Sequence, residues 1–438
     1  MHPTGPIAQR FPLVARHRPA CLPLNDRVGR LSELADTTSR QNDPGLASTV
    51  FNQAALLASD LALPTYAREL CHRHAALYLT RGPLSATSAI RGLEPIVNLA
   101  RLHIRAGHHQ RGHQLLLDLY RAVTTATETT LDGITIPAHL TEPSEQRTEL
   151  IAWLWRVVIA DGTRALTSAG RWTDALRHIE AHHGIGQRIL DGRQTAVLAA
   201  ATTGDLPAAL ALLAATEPGA PWEDAVTAVL TALCRPGDLK AAGTAADHYL
   251  SLQPTEGLAV FTTRLALTIL NICGLASVTG RDLLGHLANR TSEAGDGYAL
   301  RDLLTHQGVH DRLEPGRTAA LEQALAACAL GSGAMPTDLR DRLENALASA
   351  AAVLEKSSFD LGSLGGDPFE SHTRTAPSSD AGDPLTDPNS TFQANTWEGR
   401  VLKRTEPADV PSHQTMSAPA NEEPVGDRPQ CADRPGRL

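Results

Sequence analysis

The stretch Thr203–Ala209, which reads TGDLPAA, decides the fold, because two similar stretches lie at a nearly constant spacing from it. Ala169–Ala175 reads AGRWTDA and Pro236–Ala242 reads PGDLKAA, so the glycine that is second in each stretch recurs after 34 and then 33 positions. Glycine accepts the positive φ that ends one helix and lets the chain begin the next. Each stretch is therefore predicted to be the turn between two helices.

Two earlier segments have the same arrangement of a small turn residue and a second small residue five positions later. The second small residue stands where the two helices of a pair cross most closely, and a larger side chain would push them apart. Asp205, Asp238 and Thr173 follow the turns and are predicted to cap the second helices. The five turn residues are Ala62, Gly107, Gly170, Gly204 and Gly237, and their small partners are Ala67, Gly112, Ala175, Ala209 and Ala242.

The pattern resembles the tetratricopeptide repeat, a helix-turn-helix unit of about 34 residues. The resemblance covers residues 47–254, about half of the chain. It departs from the family in two ways: Ala, Leu or Val mostly replace the large aromatic residues of the first helix, and the first three turns lie 45 and 63 positions apart. The resemblance implies an all-α fold, a tetratricopeptide-like α-solenoid of antiparallel helix pairs.

Composition agrees with helices and narrows the function. Hydrophobic residues make up 42% of the 438 residues and aromatic residues only 4%, which favours helices packed through small side chains. The net charge of −9 is spread along the chain without a basic stripe, so direct nucleic-acid binding is not expected. Six cysteines without paired spacing indicate reduced thiols. No secretion signal or membrane span is predicted, so a cytoplasmic location is expected.

These patterns divide the chain into four predicted regions: residues 1–45, 46–254, 255–356 and 357–438. Residues 1–45 are predicted to be an irregular segment with room for a short helix, and residues 46–254 to be the repeats. Within them, an insertion at about 124–146 places Asp132-Gly133 between β-prone residues, which predicts a small hairpin packed on the helices. An irregular helical capping region is predicted at residues 255–356, with helices at about 257–273, 280–294, 298–306, 317–330 and 338–356.

Residues 357–438 are rich in Pro, Ser and Asp and poor in apolar residues, so a disordered C-terminal tail is predicted. Within this tail, residues 392–404 place aromatic and aliphatic side chains beside basic ones. This segment suits a short docking motif, although a chance apolar interruption explains it as well.

Histidines near the first turns raise the question of a metal site, since His109 and His113 lie one helical turn apart. The repeat register assigns His74 and His103 to inward packing positions and His108 and His109 to a turn, so no metal site is predicted. The glycines of 184–192 follow no predicted strand, and no cofactor site is expected there. The sequence has no Gly-x-Ser-x-Gly elbow, His-Glu-x-x-His zinc helix or paired Cys-x-x-Cys, and an enzyme is not expected.

The remaining candidate is a partner-binding groove formed by the exposed positions of the first helices. Arginines on it are suited to holding carboxylates through two hydrogen bonds. An ordinary solvated helix face explains the same residues, and Trp153 and Trp155 are expected to be core anchors. The register places these residues on the groove: Asn52, Glu94, Arg101, Arg105, Arg164, Asp191 and Gln194.

The function that this resemblance implies is that of a non-enzymatic helical-repeat adaptor or regulatory protein. It would bind a protein or peptide partner in its concave groove, its own tail included. Two alternatives stay open. One is a peptide-sensing component of a transcriptional signalling system that acts through a separate DNA-binding partner, and the other is an enzyme with a site in residues 255–356.

Overall fold

The computed structural model describes residues 1–80, 82–142 and 144–362, and these residues are mostly helical. One segment of π-helix, Val158–Gly162, continues helix α7, and a single 3-10 turn spans His310–Arg312. The first nine α-helices are α1 (Pro6–Arg10), α2 (Leu24–Gln41), α3 (Pro44–Asp60), α4 (Pro64–Leu79), α5 (Ala86–Arg105), α6 (His109–Thr125), α7 (Ser144–Val157), α8 (Thr163–Ser168) and α9 (Trp172–Ala181). The others are α10 (Asp191–Thr203), α11 (Leu206–Ala214), α12 (Pro221–Cys234), α13 (Leu239–Ser251), α14 (Ala259–Cys273), α15 (Val278–Ala294), α16 (Gly297–Leu304), α17 (Pro315–Ala327) and α18 (Thr337–Gly362).

The five predicted turn residues all adopt positive φ, and each lies between two helices. Their small partners are all buried. At Gly112 a Cβ would lie 2.6 Å from Cγ1 of Ile104 and 2.7 Å from the carbonyl oxygen of Ala100, so a side chain would separate α5 from α6. The helix-turn-helix arrangement predicted from the spacing is therefore confirmed at all five positions.

Two of the three predicted helix caps are confirmed. Asp205 and Asp238 each precede a helix and accept a hydrogen bond of 3.0 Å from a main-chain N–H of its first turn. The prediction for Thr173 is wrong, because α9 begins at Trp172 after Arg171, and no side chain caps it. Thr173 therefore lies inside the first turn of α9.

The predicted hairpin is present as two antiparallel strands, β1 (Thr129–Leu131) and β2 (Ile134–Ile136). Asp132 and Gly133 form its turn, both with positive φ, as the Asp-Gly pair predicts. Side chains of both strands are buried against α4 and α6. This packing supplies the burial that an isolated hairpin lacks.

The apolar core has two main parts, and each end of the described chain packs in the part whose other helices are distant from it in the sequence. The first core contains α2 to α7, the hairpin and α18. The second contains side chains of residues 8–13 together with α9 to α17. The last helix thus packs on α2, α3 and α4, while the first residues of the chain pack on helices of the second core.

This closure differs from the predicted organisation. All five helices predicted after Pro254 are present within a few residues, and α14 packs on α12 and α13. However, α18 does not cover the last predicted repeat; it packs against α2 and α3 and extends to Gly362, beyond the predicted end at Lys356. Residues 1–45 contain the 18-residue helix α2 in addition to a short one. The predicted tail from 363 onward, including 392–404, lies outside the described residues.

Candidate functional site

Residues 1–23, here called the N-terminal strap, cross the helices of the second core. Near the strap's start, Nε1 of Trp172 donates a hydrogen bond of 2.9 Å to the carbonyl oxygen of Pro3. Further along, the main-chain N–H of Arg18 donates to the carbonyl oxygen of Gly257 at 3.2 Å. Near its end, the carbonyl oxygen of Cys21 accepts from the main-chain N–H of Gly297 at 2.7 Å. The strap therefore runs from the α8–α9 turn to the start of α16.

The strap from Phe11 to Pro23 is not helical, which follows from its prolines. Proline donates no main-chain hydrogen bond and disfavours helical φ and ψ at the residue before it. Pro12, Pro19 and Pro23 therefore keep this part of the chain irregular. As a result, its carbonyl oxygens remain available to side chains of the helices beneath it.

The side chain of Gln194, in α10, bonds to both main-chain polar groups of one strap residue, Leu13. Its Oε1 accepts from the N–H of Leu13 at 2.7 Å, and its Nε2 donates to the carbonyl oxygen of Leu13 at 2.7 Å. The same Nε2 donates to the carbonyl oxygen of Ile189 at 2.8 Å, which fixes the orientation of the amide. Because Gln194 is completely buried, these bonds are made away from water.

Arg164, in α8, adds two further bonds to the main chain. Its Nη1 donates to the carbonyl oxygen of Phe11 at 3.2 Å, and its Nη2 donates to that of Pro12 at 3.0 Å. Burial, together with the positive charges of Arg264 and Arg16, lowers the pKa of Arg164 to about 10. The guanidinium stays charged at neutral pH, and its contacts with carbonyl oxygens replace part of its lost hydration.

The side chains of the strap also contact the same surface. Those of Phe11 and Leu13 are buried in the second core. Arg16 forms an ion pair with Asp191, the first residue of α10. Arg10 donates to Oδ1 of Asn271 in α14 at 2.7 Å. The surface under the strap, formed by Arg164, Asp191 and Gln194 with the apolar side chains around them, is called the strap surface below.

The four other predicted groove residues lie in α3 and α5, and a polar network joins three of them. Asn52 donates to Glu94 at 2.6 Å and accepts from Asn98 at 3.0 Å. Arg101 donates to both carboxylate oxygens of Asp161, at 3.0 and 2.8 Å, and to Asn98 at 3.1 Å. Burial raises the pKa of Glu94 to about 7, although Asn52 and the charges of Arg101 and Arg91 act in the opposite direction.

Arg105 belongs to a separate network, here called the Asp60 latch. The buried carboxylate of Asp60, at the end of α3, accepts from Arg105 at 3.0 Å, from Arg27 of α2 at 2.7 Å and from the hydroxyl of Tyr298 in α16. The carbonyl oxygen of Asp60 accepts from the main-chain N–H of Gly331 at 2.7 Å. Burial and the charge of Asp60 raise the pKa of Tyr298, so its hydroxyl stays protonated. The latch joins the first core to α16 and to the segment after α17.

The seven predicted groove residues are thus divided between two places. Arg164, Asp191 and Gln194 lie together under the strap, and the expectation that they are open to solvent is wrong for Asp191 and Gln194, which are buried. Asn52, Glu94, Arg101 and Arg105 are bonded to side chains of helices and of the π-helical segment. The sequence reasoning missed the strap and Asp60. The Phe-Pro-Leu at 11–13 was a usable signal for an extended apolar segment.

The core assignments of His74 and His103 are confirmed. His74 is buried, with its ring stacked on Phe51 at 5.2 Å between centroids, and burial lowers its pKa to about 3. His103 is also buried, and its Nε2 lies 3.2 Å from Oδ2 of Asp132 in the hairpin turn. Burial, the largest effect, lowers the pKa of His103. Both rings therefore serve the packing of α4 and α5.

The structure also places the two histidines predicted to lie in a turn and the two tryptophans of α7. His108 is exposed in the turn before α6, and His109 begins that helix. Trp153 is buried in the first core, and Nε1 of Trp155 donates to the carbonyl oxygen of His182 at 2.9 Å. Residues 1–80, 82–142 and 144–362 contain no group of three or more His, Cys, Asp or Glu side chains placed to hold a metal ion.

Comparison with known proteins gave no match to a protein-family model, to a curated protein or to a solved structure. Within the described part of the chain, no helix combines the length and the apolar character that crossing a membrane requires.

Proposed function

We propose that this chain is a non-enzymatic helical-repeat adaptor or regulatory protein that binds an extended segment of a protein partner on the strap surface. The observation that carries the proposal is the contact of Gln194 and Arg164 with Phe11, Pro12 and Leu13. These two side chains bond to main-chain atoms, which every peptide presents. Recognition of an extended main chain, with pockets for some of its side chains, is a common mode of peptide binding.

The proposed architecture is a tetratricopeptide-like α-solenoid whose concave groove contains the strap surface. Five helix pairs with equivalent turns and equivalent small contact residues support it. In stacked repeats of this kind, each unit packs on its neighbours, and the first helices line one continuous surface. The positions of Arg164, Asp191 and Gln194 in the repeat register agree with such a groove.

The chemistry of the strap surface also favours binding over catalysis. The carboxylate of Asp191 is occupied by the ion pair with Arg16. A glutamine amide does not titrate, and Arg164, whose pKa burial lowers to about 10, stays protonated, so neither group exchanges protons readily at neutral pH. Both groups instead hold directional hydrogen bonds. A partner segment in place of residues 11–13 would receive the same bonds.

A peptide selection tests the proposal directly. A library of random short peptides is selected on the full chain and, in parallel, on the full chain with Arg16→Glu, which puts like charges together at Asp191 and loosens the strap. We expect peptides to be enriched, and Gln194→Met, which keeps the side-chain volume but removes the amide, to abolish their binding. Gln114→Met, at an exposed position of α6, is the matched control and should leave binding unchanged. Failure of any peptide to be enriched on either chain contradicts the proposal.

A further inference from the structure

We propose that the N-terminal strap competes with the partner within the same molecule, and that the partner segment shares the strap's own pattern. That pattern is an aromatic residue, a proline and an aliphatic residue in succession, followed by an arginine three residues after the aliphatic one, as in Phe11–Arg16. This inference rests on the proposed function and adds the class of ligand and its regulation.

Each part of the pattern has a contact that explains it. The aromatic and aliphatic residues correspond to Phe11 and Leu13, which are buried in the second core. The proline keeps the chain out of a helix, so that successive carbonyl oxygens are free to meet Arg164 and Gln194. The arginine corresponds to Arg16, which forms the ion pair with Asp191. A segment without these features would lose buried apolar contacts or leave a carboxylate without its partner.

Exchange of one segment for another is favoured over simple opening of the strap. If the strap left without a replacement, the apolar surface that packs against Phe11 and Leu13 would be exposed to water, and Gln194 would lose both of its bonds to Leu13. Asp191 would lose its arginine at the same time. A peptide of the same pattern replaces these bonds one for one, so the vacated surface selects such a peptide.

The strap lowers the apparent affinity for a partner because it occupies the site as part of the same chain. A tethered segment acts at an effective concentration of the order of millimolar, and a free partner binds only the fraction of molecules whose site is open. Weakening the strap without altering the helices should therefore tighten binding of a free peptide. Arg16 is suited to this change, because it belongs to the strap and its partner Asp191 belongs to α10.

A titration with the strap's own sequence tests the inference. A fluorescein-labelled peptide of residues 6–18 is titrated with full-length chains, and fluorescence anisotropy reports binding. We expect Arg16→Glu to bind the peptide at least about tenfold more tightly than the unaltered chain, because the open fraction rises. Adding Gln194→Met to Arg16→Glu should abolish this gain. Arg40→Glu makes the same charge change at an exposed position of α2 and should bind like the unaltered chain.

A charge exchange adds a readout that general loosening would not produce. The chain with Asp191→Arg should prefer a peptide in which the residue matching Arg16 is glutamate, whereas the Arg16→Glu chain should prefer arginine there. Circular dichroism confirms that each variant is folded, and Arg16→Ala replaces Arg16→Glu if that chain is not.

The results separate the two claims. The inference is overturned if the unaltered and Arg16→Glu chains bind the labelled peptide with equal affinity. It is also overturned if Gln194→Met leaves the affinity unchanged. In that case the proposed function still holds if the library selection enriches peptides of another pattern. If neither the labelled peptide nor any library peptide binds, both claims fail.

Discussion

The predicted groove residues on α3 and α5 and those on α8 and α10 are all polar, but these side chains meet different partners. In the first core, Arg101 and Arg105 are bonded to Asp161 and Asp60, which are parts of the helical framework. On α8 and α10, Arg164 and Gln194 are bonded to the main chain of the strap. Spacing along the sequence does not reveal these partners, and the partner decides whether the contact is a fixed support or, as we propose for the strap, an exchangeable one.

The largest effect that this contrast predicts is at the Asp60 latch. Asp60→Ala removes a buried carboxylate that serves Arg27, Arg105 and Tyr298, and leaves buried donors unpaired. Breaking a buried ion network of this kind should lower the free energy of unfolding by about 3–5 kcal/mol, measured by urea denaturation.

Asp118 supplies the control for this measurement. It forms an exposed ion pair with Arg121 within α6, and Asp118→Ala should lower stability by less than about 1 kcal/mol. If the two alanine variants lose the same stability, the latch is not a fixed support, and the contrast between the two regions is wrong.

The second prediction concerns pH and the network around Glu94. The folded protein binds the Glu94 proton more tightly than the unfolded chain, because burial raises the pKa from 4.5 to about 7. The stability associated with this proton is therefore complete below pH 4.5 and is lost as the pH rises to about 7. The loss should reach about 3 kcal/mol.

Glu94→Gln should remove this loss, since the amide resembles the protonated carboxyl group. Urea midpoints of the unaltered and variant chains at about pH 5 and pH 8 provide the check, and the variant should gain stability relative to the unaltered chain at the higher pH. Glu149→Gln, at an exposed position of α7, is the control. A Glu94→Gln chain whose midpoint follows that of the unaltered chain at both pH values would show that burial of Glu94 has no such effect.

The smallest effect is expected on the strap surface. Gln194→Met removes the bonds to Leu13 and Ile189 while keeping an apolar side chain of similar size. Each such bond contributes about 1 kcal/mol, so urea unfolding should show a loss of about 1–3 kcal/mol, below that of Asp60→Ala. Gln114→Met should have almost no effect. A loss as large as that of Asp60→Ala would make the strap a fixed part of the framework.

The sequence allowed the local features to be predicted and left the long-range ones hidden. The turn at Gly204 and the cap at Asp205 depend on residues within one helical turn, and the hairpin at Asp132-Gly133 depends on its own two strands. The contact between Leu13 and Gln194 joins residues 181 positions apart. No periodicity of the chain encodes such a pairing.

The same limit explains why neither the packing of α18 nor the burial of Asp191 and Gln194 was predicted. The apolar face of α18 has the ordinary helical pattern, which indicates burial but does not distinguish the last predicted repeat from α2 and α3. The repeat register placed all seven groove residues on one surface, whereas only Arg164, Asp191 and Gln194 lie together under the strap. The register did not predict the burial of Asp191 and Gln194, whose partners Arg16 and Leu13 lie outside the predicted repeats.

Amide hydrogen exchange of the full chain, resolved to single residues, tests the central claim most directly. Two amides with long-range partners are compared: that of Leu13, bonded to Gln194, and that of Gly331, bonded to Asp60. If the strap is exchangeable, Leu13 should exchange by local opening at least about tenfold faster than Gly331, while the core helices stay protected. Exchange of both amides at one rate, together with the core, would show that the strap opens only when the whole protein unfolds, and would contradict the account.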